Sequence, residues 1–386
     1  MRKYVKILIL IIILAIPLFF FTGCSEGNSI EDLAYVIAIG IDKGENNLIK
    51  LSLQFATPSA SNPSSDSGSS SSESTISSAE CSSISSGINL INSYISKKIN
   101  LAHCKAVVFS EEIAYEGIGT ELYTLVNHIQ IRPDCSLIIS RCDAYDFLNN
   151  SKPVLINLVE RYYEVVVNSG DYTGYSSDIK LIDFYSALKE PSIQPIAILG
   201  GINASETHNL ENHINYVDQD SSYKAGEAFV NDKNNLEIMG IAVFKDDKLI
   251  GELNGIETIS HLLVTGNLNN CVINIPDPFK ENSLISLSIK KPKNPTIKVQ
   301  MVNNSPYITI NIRLEASILT LDYNSDFTNN ENLEIISEYA NDYLEKHITN
   351  YLYKTSQKFH SDIVRFWQKN FKKLCYIKIL GRASLD

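Results

Sequence analysis

The stretch Leu33-Ala-Tyr-Val-Ile-Ala-Ile-Gly-Ile-Asp42 limits the fold more than any other in this chain. It is a nearly continuous apolar run, the pattern of a buried strand rather than of a helix face. Asp42-Lys43-Gly44-Glu45-Asn46-Asn47 follows with turn chemistry, and Leu51, Leu53 and Phe55 then alternate along Leu48 to Thr57. The pair reads as a hairpin. A fold that begins this way needs a sheet, and the sheet needs partners to cover it.

Later segments supply them. Ile84, Ile88, Ile91 and Ile95 mark one helix face, and Glu111 to Ile129 reads as a helix with Ile118, Leu122, Leu125 and Ile129 on its buried stripe. Lys105 to Ser110 and Ser136 to Arg141 read as strands, and Ile156 to Asn168 and Ile179 to Leu188 as helices. Between the first hairpin and these elements lies Ser59 to Ser86, in which 16 of 28 residues are serine. Such a segment buries too little apolar surface to offset its ordering entropy, so a mobile loop is expected.

From Leu236 the pattern becomes β-rich. Met239 to Phe244 and Lys248 to Leu253 flank Lys245-Asp246-Asp247 as a tight hairpin, and a short helix is expected over Gly255 to Val264. Strands follow near Val272, Leu284 to Lys290, Ile297 to Val302 and Tyr307 to Leu319. A long helix from Asn330 to Tyr353 carries Leu333, Ile336, Ala340, Tyr343, Leu344, Ile348 and Tyr351 on one side. At 1.5 Å per residue it would reach about 36 Å. Phe359 to Phe371 reads as a further helix and Leu374 to Leu380 as a closing strand. The fold class is α+β, an extended multi-domain chain of mixed α/β domains whose last is an antiparallel sheet packed by a long helix. The expected division is 1–23, 24–200 with the serine-rich loop 59–86, 201–281 as a middle domain, and 282–386.

The amino terminus is of another kind. Arg2, Lys3 and Lys6 precede an uninterrupted apolar run from Ile7 to Phe21, and Thr22-Gly23-Cys24 ends it. A charged segment, an apolar core and small residues at a cleavage point make an export signal. As a retained membrane helix, fifteen residues would span roughly 22 Å, short of the roughly 30 Å of a hydrocarbon core. Only a thiol takes a diacylglyceryl group as a thioether, so 1–23 is expected to be a lipoprotein signal peptide and Cys24 the residue that carries the palmitate-type acyl anchor. Two or more acyl chains give stable attachment where one does not.

Charge agrees with that division of labour. The net charge of −11 becomes −14 once Arg2, Lys3 and Lys6 leave with the signal. So acidic a surface argues against nucleic acid as a partner and gives anionic lipid no general attraction. Six cysteines remain besides Cys24: Cys81, Cys104, Cys135, Cys142, Cys271 and Cys375. Disulfides are open to an exported chain, and free, buried thiols are the alternative expected here.

A search for catalytic chemistry returns fragments only. His208 and His213 are five apart, without a metal-binding His-Glu-x-x-His. Gly-x-Ser-x-Gly and the phosphate-binding loop are missing. Ser177/Lys180 and Ser288/Lys291 match Ser-x-x-Lys without the companions such enzymes need, and Gly117-x-Gly119 lacks the third glycine of a dinucleotide site. Asp246 and Asp247 are explained by turn chemistry alone. No enzyme, cofactor or metal is expected.

Three stretches of this sequence carry a resemblance: Cys24 with Ile30-Glu-Asp-Leu-Ala-Tyr-Val-Ile-Ala-Ile-Gly-Ile-Asp42; Gly240-Ile-Ala-Val-Phe-Lys-Asp-Asp-Lys-Leu-Ile-Gly-Glu-Leu253 with Glu257-Thr258; and Ser361-Asp-Ile-Val-Arg-Phe-Trp367 with a closing strand ending at Gly381. In them the whole mature chain resembles the Ger(x)C spore-germination lipoproteins, the C subunits of nutrient germinant receptors. Ser25-Glu26 departs from the Trp-Asp usual after the cysteine, and the serine-rich segment is unusually long.

The resemblance implies a non-enzymatic subunit that scaffolds or tunes the membrane A and B subunits from the outer face of the inner spore membrane, with three mixed α/β domains. It carries over no ligand-binding residue. Gly240 and Gly251 would serve the hairpin backbone, and Phe244 and Leu249 its core. A solute-binding lipoprotein feeding an importer is the alternative, disfavoured by the antiparallel C-terminal half.

Overall fold

The computed structural model describes residues 2–6, 30–56, 74–151, 159–203, 221–228, 235–291, 293–302, 305–319 and 330–366. The expected buried strand is β1 (Leu33–Lys43), with Val36 to Ile41 fully sequestered. It pairs antiparallel with β2 (Ile49–Ala56), which pairs antiparallel with β3 (Ser74–Cys81). On its other side β1 runs parallel to the short β4 (Lys98–Asn100) at its start and to β5 (Ala106–Ser110) further along. β6 (Ser136–Ser140) and β7 (Ile196–Ile202) continue in parallel. The antiparallel hairpin of β8 (Leu236–Lys245) and β9 (Lys248–Leu253) completes a nine-stranded sheet. Its centre is therefore parallel and both flanks are antiparallel. Strands from both sides of residue 200 belong to it.

Helices cover both faces, as parallel strands require. One core gathers Ile39, Leu51 and Phe109 of the sheet against α1 (Ile84–Asn92), α2 (Glu111–Glu116), α3 (Gly119–Val126) and, after them in the chain, the helix Leu181–Lys189. The opposite core packs Ile37, Val108 and Ile198 against α4 (Ala144–Asn150) and α5 (Val159–Val167). A single turn, α6 (Gly170–Thr173), then leads to Leu181–Lys189, which is α7.

Beyond the hairpin, α8 (Gly255–Thr265) starts from a reciprocal cap. Asn254 Oδ1 accepts from the Glu257 N–H at 3.0 Å, and Glu257 Oε2 accepts from the Asn254 N–H at 2.9 Å. A second antiparallel sheet, β10 (Asn270–Pro276), β11 (Leu284–Lys290) and β14 (Glu315–Ile318), shares a core with α8 and the long helix α9 (Asn330–Tyr353). β12 (Thr296–Val302) and β13 (Ser305–Asn311) form a separate ribbon. The α+β class, with a C-terminal antiparallel sheet packed by a long helix, is what the structure has.

Five local expectations change, the first being that Tyr307 to Leu319 is not one strand but two, β13 and β14, in different sheets. The serine-rich segment is not all loop: Ser74–Cys81 is an edge strand whose hydroxyls pair with β2, Ser52 Oγ meeting Ser78 Oγ at 2.8 Å. Residues 57–73 lie outside the described set. The expected helix from Glu111 to Ile129 is two helices interrupted at Gly117-Ile118, and Ile129 is 98% exposed rather than part of the buried stripe. On α9, Leu333 is 41% exposed while Ile336, Ala340, Tyr343, Leu344 and Tyr351 are buried. After α9 a π-type turn (Lys354–Lys358) is followed by irregular chain to Arg365 where a helix was expected. Trp367 and the expected closing strand lie outside the described residues.

Candidate functional site

Cys24, the one chemically specific position read from the sequence, falls outside the described residues. What the structure brings together are the other resemblance-carrying stretches. The first ends at Asp42, which is buried at the carboxyl end of β1. Its Oδ1 accepts from the Ala144 N–H at 2.6 Å and its Oδ2 from the Tyr145 N–H at 3.0 Å. A carboxylate about a hundred residues away in sequence thus satisfies the orphan donors that open α4, where a negative charge meets the positive end of the helix dipole. Burial pushes this carboxyl upward, and the two backbone donors partly oppose the rise.

The second stretch is the β8–β9 hairpin. Asp246 takes the positive φ of 56° that the tight turn demands. Asp247 does more than turn chemistry requires. Its carbonyl accepts from the Ile118 N–H at 3.0 Å and its Oδ2 from the Gly119 N–H at 3.3 Å. A Cβ on Gly117 or Gly119 would stand 2.9 or 2.8 Å from the same Oδ2. The Gly117-x-Gly119 pair, too sparse for a nucleotide, is the seat of the hairpin tip. That contact occupies the break between α2 and α3.

Gly240 serves the hairpin backbone as expected, at φ 108°, where a side chain would meet Leu253 O at 2.4 Å. Gly251 instead makes room for an aromatic ring, since a Cβ there would lie 2.4 Å from Phe359. Phe244 and Leu249 are core residues, Phe244 edge-on to Phe184 at 4.8 Å. The third stretch lies against the same hairpin. Ser361 Oγ donates to Phe244 O at 3.5 Å, and Ile363 and Val364 are buried with Ile241, Val243, Leu253 and Tyr351.

A polar network crosses this seam. Arg141, just past β6, pairs through Nη1 with Glu227 at 2.8 Å and through Nε with Glu252 at 3.5 Å. Lys224 meets the other Glu252 oxygen at 2.8 Å. Lys354, past the end of α9, donates to Glu252 O at 2.8 Å and to Glu257 Oε2 at 2.7 Å. The Glu252 side chain is only 6% exposed, so it depends on these cations. Glu111 faces the same cluster, and burial together with that carboxyl holds the Tyr115 phenol up to about 12. Burial, with Arg365 nearby, pulls His261 down to about 4, so neutral His261 shares a 2.7 Å hydrogen bond with Tyr351. Sequence reasoning missed the network because its members stand at 141, 224, 227, 252 and 354. Only the Asn254-x-x-Glu257 signature was locally visible.

The seam is built of ion pairs, hydrogen bonds and packed rings. Among the described residues no set of three His, Cys, Asp or Glu side chains is grouped to hold a metal. Cys81, Cys104, Cys135, Cys142 and Cys271 are free, and all but the half-buried Cys142 are buried. Beside the seam a polar hollow of about 200 Å³ is lined by Asn168, Asp171, Ser177, Asp178, Leu262 and Asn267. That is below the roughly 300 Å³ at which ligand pockets usually start. Among the described residues no helix is long and apolar enough to cross a membrane.

The architecture is that of an interlocked α+β protein whose distinctive residues build one unit upon another. Residues 26–200 match the family description "Spore germination protein N-terminal domain", and residues 239–379 match "Spore germination B3/ GerAC like, C-terminal". The chain belongs to this GerAC-like family of spore germination receptor C subunits. It is 22% identical over 370 residues to the putative spore germination protein YfkR of Bacillus subtilis (strain 168), covering 95% of this chain and 88% of that protein. It is also 22% identical to spore germination protein KC of the same organism, over 95% of this chain and 86% of the relative. The crystal structure of the GerBC protein aligns over 87% of both chains at 16% identity, with a TM-score of 0.47.

Proposed function

We propose that this chain is a lipid-anchored, non-enzymatic subunit of a spore nutrient germinant receptor. Cys24 tethers it to the outer face of the inner spore membrane, and it scaffolds or tunes the membrane A and B subunits through protein contacts. The observation that carries this reading is the family match in chain order, which begins at residue 26, two residues after Cys24. An apolar signal ending at a thiol beside the first family residue is the arrangement an anchored domain needs.

Cys24→Ala tests it. The variant should leave the membrane fraction, lower receptor abundance and slow nutrient-triggered germination. Unchanged receptor level and germination would sink the anchoring role. The importer reading predicts instead that the purified chain alone binds an amino acid or sugar tightly. The interlocked seam disfavours that reading, since two lobes that close on a solute need a hinge between them.

A further inference from the structure

Exposed apolar side chains gather where the chain enters its fold. β4 pairs in parallel with the first residues of β1, Lys98 beside Leu33 and Asn100 beside Tyr35. The loop before β4 is held by the Ile99 N–H donating to Asn92 Oδ1 at 3.0 Å, and it presents Tyr94, 69% exposed, with exposed Lys97 and Lys98. The segment after α3 is held beside β4 by the Leu101 N–H donating to Gln130 Oε1 at 3.2 Å, and Ile129 there is 98% exposed. An isolated exposed Ile is ordinary. Here an aliphatic tip, an aromatic and two lysines stand around one end of one sheet.

The tether gives that end its occupant. Eight residues lie between Cys24 and Leu33, nine backbone steps with a reach of at most about 30 Å however the chain runs. The amino edge of the sheet is thus the part of the fold that an anchor at Cys24 holds nearest a bilayer. Lysines at this end stand out on a chain of net charge −11. Glu31 and Asp32 lie on the tether side, and Asp134 is paired with Arg132 at 2.6 Å.

We propose that this edge is a second, non-covalent membrane contact. Tyr94 and Ile129 seat at headgroup depth, where aromatic and aliphatic tips are favoured, and Lys97 and Lys98 face lipid phosphates. The contact would fix the subunit's orientation on the membrane, which attachment at one point does not do. The inference rests on the anchoring role of Cys24.

Brominated-lipid quenching tests it on the full-length lipidated protein. Ile129→Trp is placed in a Trp367→Phe background and reconstituted in an equal mixture of phosphatidylglycerol and acyl-brominated phosphatidylcholine. Tyr115→Trp, bonded to Glu111 at the opposite, carboxyl edge, is the reference. Ile129→Trp emission should fall about twofold while the reference is unaffected. Tyr94→Trp should behave like Ile129→Trp and serves if the first variant folds poorly. Lys97→Glu/Lys98→Glu should reduce the quenching with phosphatidylglycerol present and leave it unchanged without it. If the protein sediments with vesicles but position 129 is quenched no more than position 115, the docking edge is wrong and the anchor stands. If the protein stays in the supernatant, the anchor fails and the inference falls with it.

Discussion

The parallel centre of the large sheet and the seam around the β8–β9 hairpin are held by different forces. In the centre, Ile39, Val107 and Phe109 are fully buried on one face and Ile37, Val108 and Ile138 on the other, each face covered by helices. Each contributes by leaving water, whatever its exact neighbours. At the seam, Asp247 fits against two glycines, the Glu252 carboxylate lies between Arg141 and Lys224, and Phe359 fills the space above Gly251. There, stability depends on particular partners that are distant in sequence. Like-for-like substitution should cost less in the centre than at the seam.

Substitutions can separate the two behaviours. Phe109→Ala should cost most, about 4 kcal/mol by loss of transfer energy and the cavity left behind, read as a lowered urea midpoint at unchanged slope. Acid should act at the seam's His261. Unfolded, it titrates near 6.5, and folded near 4, so the unfolded chain binds more protons in between. Stability from this group is present above pH 6.5 and is lost as pH falls toward 4, on the order of 3 kcal/mol over the window. His261→Asn should flatten that slope, and an unchanged pH dependence would contradict a neutral buried imidazole.

Glu252→Ala should cost about 2 kcal/mol by leaving Lys224 without its anion and Arg141 with Glu227 alone. Hydrogen exchange should quicken in β9 and around residues 224–227 before it does in β5 or β6. Asp247→Ala should cost least, about 1 kcal/mol for one exchanged hydrogen bond, with faster exchange confined to Ile118 and Gly119. If Asp247→Ala loosened the sheet centre as well, the two regions would be one cooperative unit and the contrast would fail.

Legibility followed the same division. β1, β2, β5 and β6 were readable because an apolar run or an alternation reports burial locally. The break in the expected Glu111 to Ile129 helix went unread although Gly117, at φ 122°, is a local stop signal, and the Asp247 that bonds to the break lies more than a hundred residues on. The serine-rich stretch misled in another way. Composition signals low burial, but Ser74–Cys81 needs only backbone donors from β2 and hydroxyl partners to become an edge strand. Ile129 fits helical spacing by count, yet the helix has ended before it, and the side chain is left in solvent.

By itself the sequence determined the family of this chain and its fold class, through a set of buried strands and amphipathic helices and the stretches that carry the family resemblance. These are local properties of hydrophobicity and spacing, and they survive without knowledge of neighbours. The tertiary structure decided that β8 and β9 complete the first sheet, that Asp42 caps α4, and that Arg141, Lys224, Glu252 and Lys354 meet. Hydrogen bonds and ion pairs act over a few ångströms, so only the folded path of the backbone sets which distant residues they join.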